Sequence, residues 1–329
     1  MTAGRPRLMT GTRATGELHI GHYFGTIKNW IAMQPDYECF IGSMDWHGMT
    51  TAYKDSRSVN EWNRGVIANL IAWGINPEKT TLFIQSRVPE VLELYMIFAN
   101  LTPLGWLERV PTWKDAIEEA KANDTHNLGR FSYPVLQAAD IAIFRGEKVP
   151  VGADQVAHLE LSREIIRRAN SLYKTKLPEP QPVLTETPVV PGLDGRKMSK
   201  SYGNAISLTE ESGALAKKIR GMPTDPARVR REDAGNPANC NVFTYHKLVS
   251  SEDDKTWVVK GCTTAGIGCG DCKGRLAENL NKLLEEPRNR QKELLNNPKQ
   301  LDSIIAAGCE RASSEARKTL IEVKSKMGI

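Results

Sequence analysis

No apolar run in the sequence approaches the roughly 18 residues that a membrane-spanning helix requires. The first nine residues include Arg5 and Arg7 but lack the apolar core of a signal peptide, so we expect no secretion. Internal repeats and low-complexity segments are also missing from the sequence. These absences argue against a membrane helix and a repeat architecture, and they predict a cytoplasmic protein with no membrane contact.

The chain also lacks an extreme charge. Its 329 residues carry a net charge of +5, which permits a nucleic-acid partner without requiring one. The stretch from Lys217 to Arg231 contains six cations and one acid. Such a stretch is typical of either a phosphate-facing patch or a solvated helix end, and the sequence leaves both interpretations open.

The first 200 residues alternate between strand and helix patterns. Apolar residues at helical spacing predict helices at about 61–73 and 89–101. Short apolar runs predict strands at Leu8–Thr10, Cys39–Met44, Thr81–Gln85 and Pro182–Leu184. This alternation predicts an α/β fold with a mostly parallel sheet, in which ligands bind at the carboxyl ends of the strands. After Asn204 the strand signal fades, and leucines at helical spacing predict a helical second domain.

A basic loop lies between Asp194 and Asn204. It places three cations, two serine hydroxyls and two glycines within eleven residues. Ammonium groups and hydroxyls on a loop bounded by glycines suit the charge that develops on a polyphosphate during reaction. A solvated basic turn is the alternative interpretation of the same composition.

A glycine-punctuated turn at 11–16 follows the first predicted strand, and His19 and His22 come at the start of the next helix. One face of that helix carries Phe24, Ile27, Trp30 and Ile31. A strand, turn and helix in this order aim backbone N–H groups at a phosphate, and imidazoles can donate to phosphate oxygens. The alternative interpretations are two capping histidines or two metal-binding histidines.

Both loops carry motifs of a known family. Lys197–Ser201 reads Lys-Met-Ser-Lys-Ser, which matches the second signature of the class I aminoacyl-tRNA synthetases, and His19–His22 resembles their first signature. The two motifs occur in the order that the family requires, so the chain is identified as a member. The resemblance implies a Rossmann-like catalytic domain at 1–205 with a connective insertion at about 102–177. It further implies an all-α anticodon-binding domain at 206–329.

Three other segments resemble the bacterial tryptophanyl members of that family: Leu107–Asp115, Tyr133–Asp140 and Val149–Gln155. The resemblance implies a homodimeric ligase that activates L-tryptophan with ATP and Mg²⁺, releases pyrophosphate, and transfers the tryptophanyl group to the terminal ribose of tRNA(Trp). No covalent enzyme intermediate is needed, and the sequence shows no obvious general base. Positioning and charge stabilisation are therefore expected to carry the chemistry.

An indole pocket needs apolar walls and one hydrogen-bond acceptor. The resemblance makes Asp140 that acceptor, and its apolar neighbours in sequence argue against a surface carboxylate. Tyrosyl synthetases are the near alternative, but they carry a tyrosine on the first strand where this chain has Met9, beside which a phenol would lack a partner. The tryptophan-binding residues implied by the resemblance are Met9, His47, Tyr133, Gln137, Asp140 and Gln155.

The resemblance also implies which residues act on the phosphates. The residues expected to stabilise the reacting phosphates are His19, His22, Lys114, Lys197 and Lys200. The residues expected to bind ATP are Arg13, Ala14, Thr15, Gly21, His22, Gly152, Ala153, Asp154, Lys197, Met198, Ser199, Lys200 and Ser201. The chain departs from the family pattern at Arg13, Ala14 and Ala153, where glutamine, proline and an acid are usual, and these departures leave details of ATP contact open.

The six cysteines form two groups, and a disulfide framework is not expected in a cytosolic chain. Cys39 and Cys309 stand among apolar neighbours and are predicted to be buried. The other four fall within 33 residues and predict a metal site formed by Cys240, Cys262, Cys269 and Cys272. Zinc is the usual occupant of four thiolates, but the irregular spacing suits a cluster at least as well. By resemblance to a subset of bacterial tryptophanyl synthetases we expect a [4Fe–4S] cluster, with structural Zn²⁺ as the alternative.

Two further classes of protein stay open at this point. A nucleotidyltransferase with a similar His-x-Gly-His turn would fit the first motif, but it would not explain Asp140 or the cysteine-bearing C-terminal half. A catalytically silent, RNA-binding relative would keep the fold, although both signatures are intact in this chain.

Overall fold

The computed structural model of the chain describes residues 4–110, 113, 127–152, 155–184, 190–199 and 202–329. It contains a five-stranded sheet in which all neighbouring strands run parallel. The strands are β1 Arg7–Arg13, β2 Glu38–Met44, β3 Thr81–Ile84, β4 Lys148–Val151 and β5 Gln181–Leu184. Their order in the sheet is β3-β2-β1-β4-β5, which confirms the predicted α/β fold with a parallel sheet.

Burial explains why most of these strands can be predicted from the sequence. In β2 every residue after Glu38 is buried, as expected for a parallel strand that is covered on both faces. The sequence patterns do not indicate β4, which pairs with β1 and β5 and falls inside the predicted insertion at 102–177. Like β5, this strand has only four residues and contains a proline, which has no N–H to donate to a neighbour, so its signal in the sequence is weak.

The first half of the chain forms eight α-helices in the described ranges, and a π-helical turn separates the first two. These helices are α1 Ile20–His22, α2 Lys28–Met33, α3 Asp45–Ala52, α4 Val59–Ala72, α5 Glu90–Leu101, α6 Leu104–Glu108, α7 Leu128–Ile143 and α8 Val156–Tyr173. A π-helical turn at Tyr23–Ile27 separates α1 from α2, where one continuous helix is predicted. Phe24, Ile27 and Trp30 are nevertheless buried, as their spacing predicts.

Beyond β5 the described chain is helical, as predicted. The helices are α9 Ser212–Arg220, α10 Asn241–Val249, α11 Glu252–Thr263, α12 Cys269–Asn296 and α13 Pro298–Met327. Leu276, Leu280 and Leu284 are buried along α12. The leucines and isoleucines that predict several helices after residue 300 belong to the single helix α13.

Helix α13 packs on β3 at a glycine. A β-carbon on Gly308 would overlap the carbonyl oxygen of Leu82, so the helix backbone approaches the strand too closely for any side chain. The neighbouring Cys309 is buried, and its sulfur accepts a hydrogen bond from the backbone N of Ile84 at 3.4 Å. Cys39 is buried as well, and burial raises the pKa of its thiol to about 11. Both isolated cysteines are therefore the buried residues that the sequence predicts.

The chain forms two compact units. The first contains Met1–Gly16, Asn29–Glu186 and Leu294–Ile329 and holds the sheet; the second contains Glu17–Lys28 and Thr187–Glu293. The assignment of 1–205 to catalysis and of 206–329 to anticodon binding stays a prediction. Within the described ranges, no helix is both long enough and apolar enough to cross a membrane.

Candidate active site

Asp140 lies near the end of α7, in the first compact unit, with only 3% of its surface exposed. The side-chain nitrogen of Gln85 donates to both of its oxygens, at 2.8 Å from Oδ1 and 3.0 Å from Oδ2. Nε2 of His47 lies 2.8 Å from the same Oδ2. This burial excludes the alternative of a surface carboxylate, and the two partners hold the acidic group in one orientation.

Tyr133 lies next to His47 in the same unit. The two rings meet edge to face, with centroids 6.2 Å apart. The hydroxyl of Tyr133 lies 2.6 Å from Nε2 of His158, a buried histidine of α8. Tyr133 and Asp140 are seven residues apart on α7, which puts them on one face of the helix. The structure thus brings together three of the residues predicted to bind tryptophan.

The other residues predicted to bind tryptophan are Gln137, Met9 and Gln155. Gln137 is half-buried on α7, between Tyr133 and Asp140 in sequence. Met9 is buried in β1. A β-carbon added to Gly146 would lie 3.0 Å from the β-carbon of Met9. Gln155 precedes α8, and its backbone N donates to the carbonyl of Gly152 at 3.0 Å. Contact of these three with a substrate ring or carboxylate stays a prediction.

The turn after β1 packs against α3, the helix that carries His47. A β-carbon on Gly48 of this helix would lie 2.8 Å from the carbonyl oxygen of Ala14, which is buried. Arg13 donates a side-chain hydrogen bond to Thr51 of α3, and the backbone N of Thr15 bonds to the Arg13 carbonyl at 3.1 Å. The predicted ATP-binding turn is therefore held against α3 by these contacts.

His19 and His22 lie in the second compact unit. The backbone N of His19 donates to Nδ1 of His22 at 3.1 Å, and the ring centroids are 3.8 Å apart. Because Nδ1 accepts a hydrogen bond, neutral His22 carries its proton on Nε2, where it can act as a donor. The backbone N–H groups of Ile20 and His22 bond to the carbonyls of Ile206 and His19. These two amides are thus occupied within the protein, which leaves the imidazoles as the candidate phosphate donors on their side chains.

Asn204 organises the described part of the basic loop, and only 4% of its surface is exposed. Its side-chain nitrogen donates to Oδ1 of Asp194 at 2.8 Å and to the carbonyl of Lys197 at 3.1 Å. Its side-chain oxygen accepts from the backbone N of Ser199 at 2.8 Å. One amide group therefore holds both ends of the loop, while the Lys197 side chain stays exposed.

Asp194 is the acidic group of this loop scaffold. It accepts hydrogen bonds from the backbone N of Arg196 at 3.0 Å and from its guanidinium at 2.8 Å. The bond from Asn204 and those from Arg196 lower the pKa of Asp194. Gly195 has a φ of +85°, a left-handed conformation that a glycine adopts without strain. Met198 is buried, and its sulfur would lie 3.4 Å from a β-carbon on Gly21.

Comparisons with known proteins cover almost the whole chain. A family model described as tRNA synthetases class I (W and Y) matches residues 1–285. The chain is 46% identical to a tryptophan–tRNA ligase of Thermotoga maritima, over 98% of this chain and 99% of that protein. The chain belongs to the class I tRNA synthetases. It is also 39% identical to a tryptophan–tRNA ligase of Ralstonia nicotianae, over 98% of both chains.

A solved structure agrees with the fold of this synthetase. The crystal structure of tryptophanyl-tRNA synthetase from Campylobacter jejuni, complexed with ADP and tryptophan, superposes with a TM-score of 0.90 and 35% identity. It covers 98% of this chain and 100% of the solved chain. The prediction of a bacterial-type tryptophanyl member is thereby confirmed.

Some predicted site residues of the synthetase lie outside the described ranges: Lys114, Ala153, Asp154, Lys200 and Ser201. Conversely, no motif in the sequence indicates the contact of Gln85 with Asp140 or the contacts of Asn204 within the basic loop. The available signal for Gln85 is a polar residue directly at the carboxyl end of an apolar strand run. The signal for Asn204 is its place at the end of the glycine-bounded loop.

The basic stretch Lys217–Arg231 divides into two parts. The first part consists of the cations at 217, 218 and 220, which lie in the last turn of α9. Positive charge at this end of a helix interacts favourably with the helix dipole. Lys218 also pairs with Glu210 at 2.6 Å. Arg228 is buried and donates to the backbone carbonyl of Ile267 at 2.7 Å. These contacts give several of the cations a role within the fold, which favours the helix-end interpretation for the first part.

The four clustered cysteines of the synthetase line one cavity in the second compact unit. A β-carbon on Gly235 would lie 2.7 Å from the sulfur of Cys262, so a glycine is needed beside that thiol. Burial, and then the other three thiols, raise the pKa of Cys272 to about 12. Among the described residues, no group of three or more His, Cys, Asp or Glu side chains forms a metal-binding group. The metal therefore stays a prediction.

A hydrogen-bond chain leads to Cys272. The side-chain nitrogen of Asn279 donates to the Asp254 carboxylate at 2.8 Å and to the Ser250 hydroxyl oxygen at 2.9 Å. Nε2 of the buried His246 lies 3.2 Å from the Cys272 carbonyl and 3.4 Å from the Cys272 sulfur. Because a carbonyl can only accept, Nε2 carries the proton, and Nδ1 accepts from the Ser250 hydroxyl at 2.7 Å. Burial lowers the pKa of His246, which favours the neutral ring.

Proposed function

We propose that this chain, a tryptophan–tRNA ligase, selects its amino acid with the buried carboxylate of Asp140. The ligase activates L-tryptophan with ATP to give tryptophanyl-adenylate and pyrophosphate, and then transfers the tryptophanyl group to tRNA(Trp). The similarity that carries this function is the 46% identity to the Thermotoga maritima ligase over 98% of the chain. The burial of Asp140 and its two fixed partners support its assignment as the indole acceptor.

In the proposed pocket each end of the substrate has its own partner. Asp140 accepts the indole N–H, the one polar group of an otherwise apolar ring. Met9, His47 and Gln137 border the ring. Tyr133 and Gln155 hold the ammonium and carboxylate groups. This arrangement rejects tyrosine because its phenol would lose a hydrogen-bond partner on entering an apolar site.

In the proposed activation step the tryptophan carboxylate attacks the α-phosphorus of Mg·ATP, and pyrophosphate leaves. His19 and His22 donate to phosphate oxygens; the proton that His22 carries on Nε2 supports this role. Lys114, Lys197 and Lys200 stabilise the charge on the α-phosphorus and the departing pyrophosphate. The ATP-binding turns at 13–15 and 152–154 hold the nucleotide. No side chain forms a covalent bond with the substrate.

Amino-acid-dependent ATP–pyrophosphate exchange tests this proposal. We expect exchange with tryptophan and essentially none with tyrosine. Lys200→Ala should slow exchange at least about 100-fold while leaving tryptophan binding nearly intact, because its charge acts on the transition state. Lys299→Ala on the exposed face of α13 is the matched control and should be unaffected. A normal exchange rate in Lys200→Ala would overturn the assignment of the loop.

We further propose that Cys240, Cys262, Cys269 and Cys272 hold a [4Fe–4S] cluster, with structural Zn²⁺ as the alternative. The type of donor suits such a cluster, because four thiols line one cavity and thiolates are its usual ligands. The described side chains do not form a metal-binding group as they stand, so binding would have to draw the four sulfurs together. When bound, the cluster would supply a cross-link between α10, α11 and α12 rather than a chemical step. The cysteines would have to lose their protons on binding, since burial raises the pKa of the Cys262 and Cys272 thiols.

Anaerobic purification separates the two metals. Brown protein with broad visible absorbance would support the cluster, whereas colourless protein with stoichiometric zinc would support the alternative. Cys269→Ala should then impair aminoacylation of tRNA more than pyrophosphate exchange, if the site shapes the tRNA-binding surface. Cys39→Ala, which removes a buried cysteine outside the cavity, should spare the ratio of the two activities. Equal losses of both activities in Cys269→Ala would argue against coupling between this site and tRNA.

The remaining proposals concern assembly and location. We propose a homodimer, on the resemblance to the bacterial members, and light scattering of the purified chain tests it. A mass near 73 kDa is expected, because one chain has a mass of 36.6 kDa and two chains give 2 × 36.6 kDa. A cytoplasmic location, where tRNA and ATP are available, follows from the proposed activity.

A further inference from the structure

Gln85 is a fully buried amide directly after β3, with none of its surface exposed. Its side-chain oxygen accepts a hydrogen bond from the backbone N of Trp46 at 3.1 Å. Because a backbone N–H can only donate, the amide oxygen must face Trp46 and the amide nitrogen must face Asp140. The Trp46 backbone and the Asp140 carboxylate therefore require the same orientation of the Gln85 amide, and the backbone contact would hold that orientation even if the carboxylate moved.

A second buried carboxylate stabilises this region. Asp45, only 3% exposed, accepts from the backbone N groups of Trp46 at 3.1 Å and Ser86 at 2.9 Å. It also accepts from the side-chain nitrogen of Asn63 at 3.0 Å. Asp45 therefore joins the residues that follow β2 to those that follow β3. Gln85 and Trp46 are held relative to each other before any substrate binds.

The acceptor capacity of Asp140 is nearly filled by these partners. A carboxylate has about four lone-pair positions. The two bonds from Gln85 and the contact with His47 occupy three of them. One acceptor position is thus left for a further donor, and the direction of that position is set by where Gln85 holds the carboxylate.

We propose that Gln85 is a positioning residue for recognition of the indole N–H. It orients the Asp140 carboxylate so that its remaining acceptor position faces the substrate. The inference rests on the proposed role of Asp140 as the indole acceptor. It adds a residue 55 positions away in sequence that acts on recognition through Asp140, by determining the direction of the acceptor.

The test uses Gln85→Met, which keeps the length of the side chain and removes its hydrogen bonds. Trp46 keeps a partner in this variant, because its backbone N also bonds to Asp45. Binding is measured for tryptophan and for the analogue in which sulfur replaces the indole N–H. We expect tryptophan to bind about tenfold more weakly, while binding of the analogue is nearly unchanged, because only the N–H contact is misdirected. Gln85→Glu should show the same pattern, since a second carboxylate beside Asp140 favours a shared proton on the pair.

Two further variants separate the possible failures. Ser43→Ala removes a hydrogen bond to Asn63 within the same buried network but away from Asp140, so it should leave the preference for tryptophan over the analogue unchanged. Asp140→Asn tests the proposed function itself and should abolish that preference. If Asp140→Asn abolishes the preference and Gln85→Met does not, the role of Gln85 is wrong and the pocket stands. Equal weakening of both ligands by Gln85→Met would make Gln85 merely structural and would also overturn the inference.

Discussion

Asp140 and Asp194 are two carboxylates of this synthetase that the fold holds in opposite ways. Asp140 is buried, and its partners Gln85 and His47 come from segments 55 and 93 residues away. Asp194 lies exposed on a loop, and its partners Arg196 and Asn204 are at most ten residues away. The first arrangement depends on the packed core of its unit, whereas the second is local to one loop.

This difference matches the proposed roles of the pocket around Asp140 and of the loop that contains Asp194. Recognition of a single N–H requires an acceptor whose direction does not vary, and a network of buried partners provides that. Charge stabilisation of a departing pyrophosphate suits a loop that can move, and a loop with local contacts can move without disturbing the core. We therefore expect that damage to the core network changes tryptophan affinity, and that damage to the loop changes the rate of activation.

Among the changes near the buried network of Asp140, Gly308→Ala should have the largest effect. The new methyl group would overlap the carbonyl of Leu82 in β3, the strand that leads directly to Gln85. We expect a loss of about 3 kcal/mol in the free energy of unfolding and a weaker affinity for tryptophan, measured by urea denaturation and by titration.

The matched control for this change is Gly65→Ala on α4 in the same unit. A β-carbon at Gly65 has open space around it, so the substitution should stabilise the protein by about 0.5–1 kcal/mol. Equal stability of the two variants would show that the helix–strand contact at Gly308 does not constrain β3.

Asn204→Ala tests the basic loop that contains Asp194. It removes three hydrogen bonds, to Asp194, to the Lys197 carbonyl and from the Ser199 amide, that hold the described part of the loop together. We expect kcat for pyrophosphate exchange to fall about tenfold, because Lys197 is no longer well positioned, with an unchanged KM for tryptophan. Asn296→Ala, an exposed asparagine at the end of α12, is the control. A change in KM for tryptophan with normal kcat would contradict the division between core and loop.

The sequence is informative where apolar residues are consecutive and where the residues of a motif are contiguous. Apolar runs predict β1, β2, β3 and β5, and two signature motifs predict the class of enzyme. The strand β4 escapes prediction because it falls inside the segment assigned to the insertion, and a four-residue strand with a proline, a pattern that β5 shares, is a weak signal by itself. Its place in the sheet is decided by β1 and β5 on either side.

Roles that depend on distant partners are also missing from the sequence pattern. Gln85 looks like the end of a strand, and its role depends on Asp140 and Trp46, which lie 55 and 39 residues away. Asn204 has nearer partners, but its importance depends on the turn at Gly195 that brings Asp194 back to it. The Tyr23–Ile27 π-helical turn is hidden because the apolar residues there still fall on one face. In each case the deciding contact is made by the folded chain and not by neighbouring residues.

Acidification should give the smallest effect and should act on the loop through Asp194. Hydrogen bonds from Asn204 and Arg196 lower its pKa, so its ionised form stabilises the folded loop. That stabilisation is complete above the ordinary carboxyl range, near pH 4, and is lost as the pH falls through the lowered pKa. We expect the backbone amide signals of Gly195 and Arg196 to shift in that acid range in an NMR titration. Asp194→Asn should lack this step, and a step that persists in the variant would show that another group controls the loop.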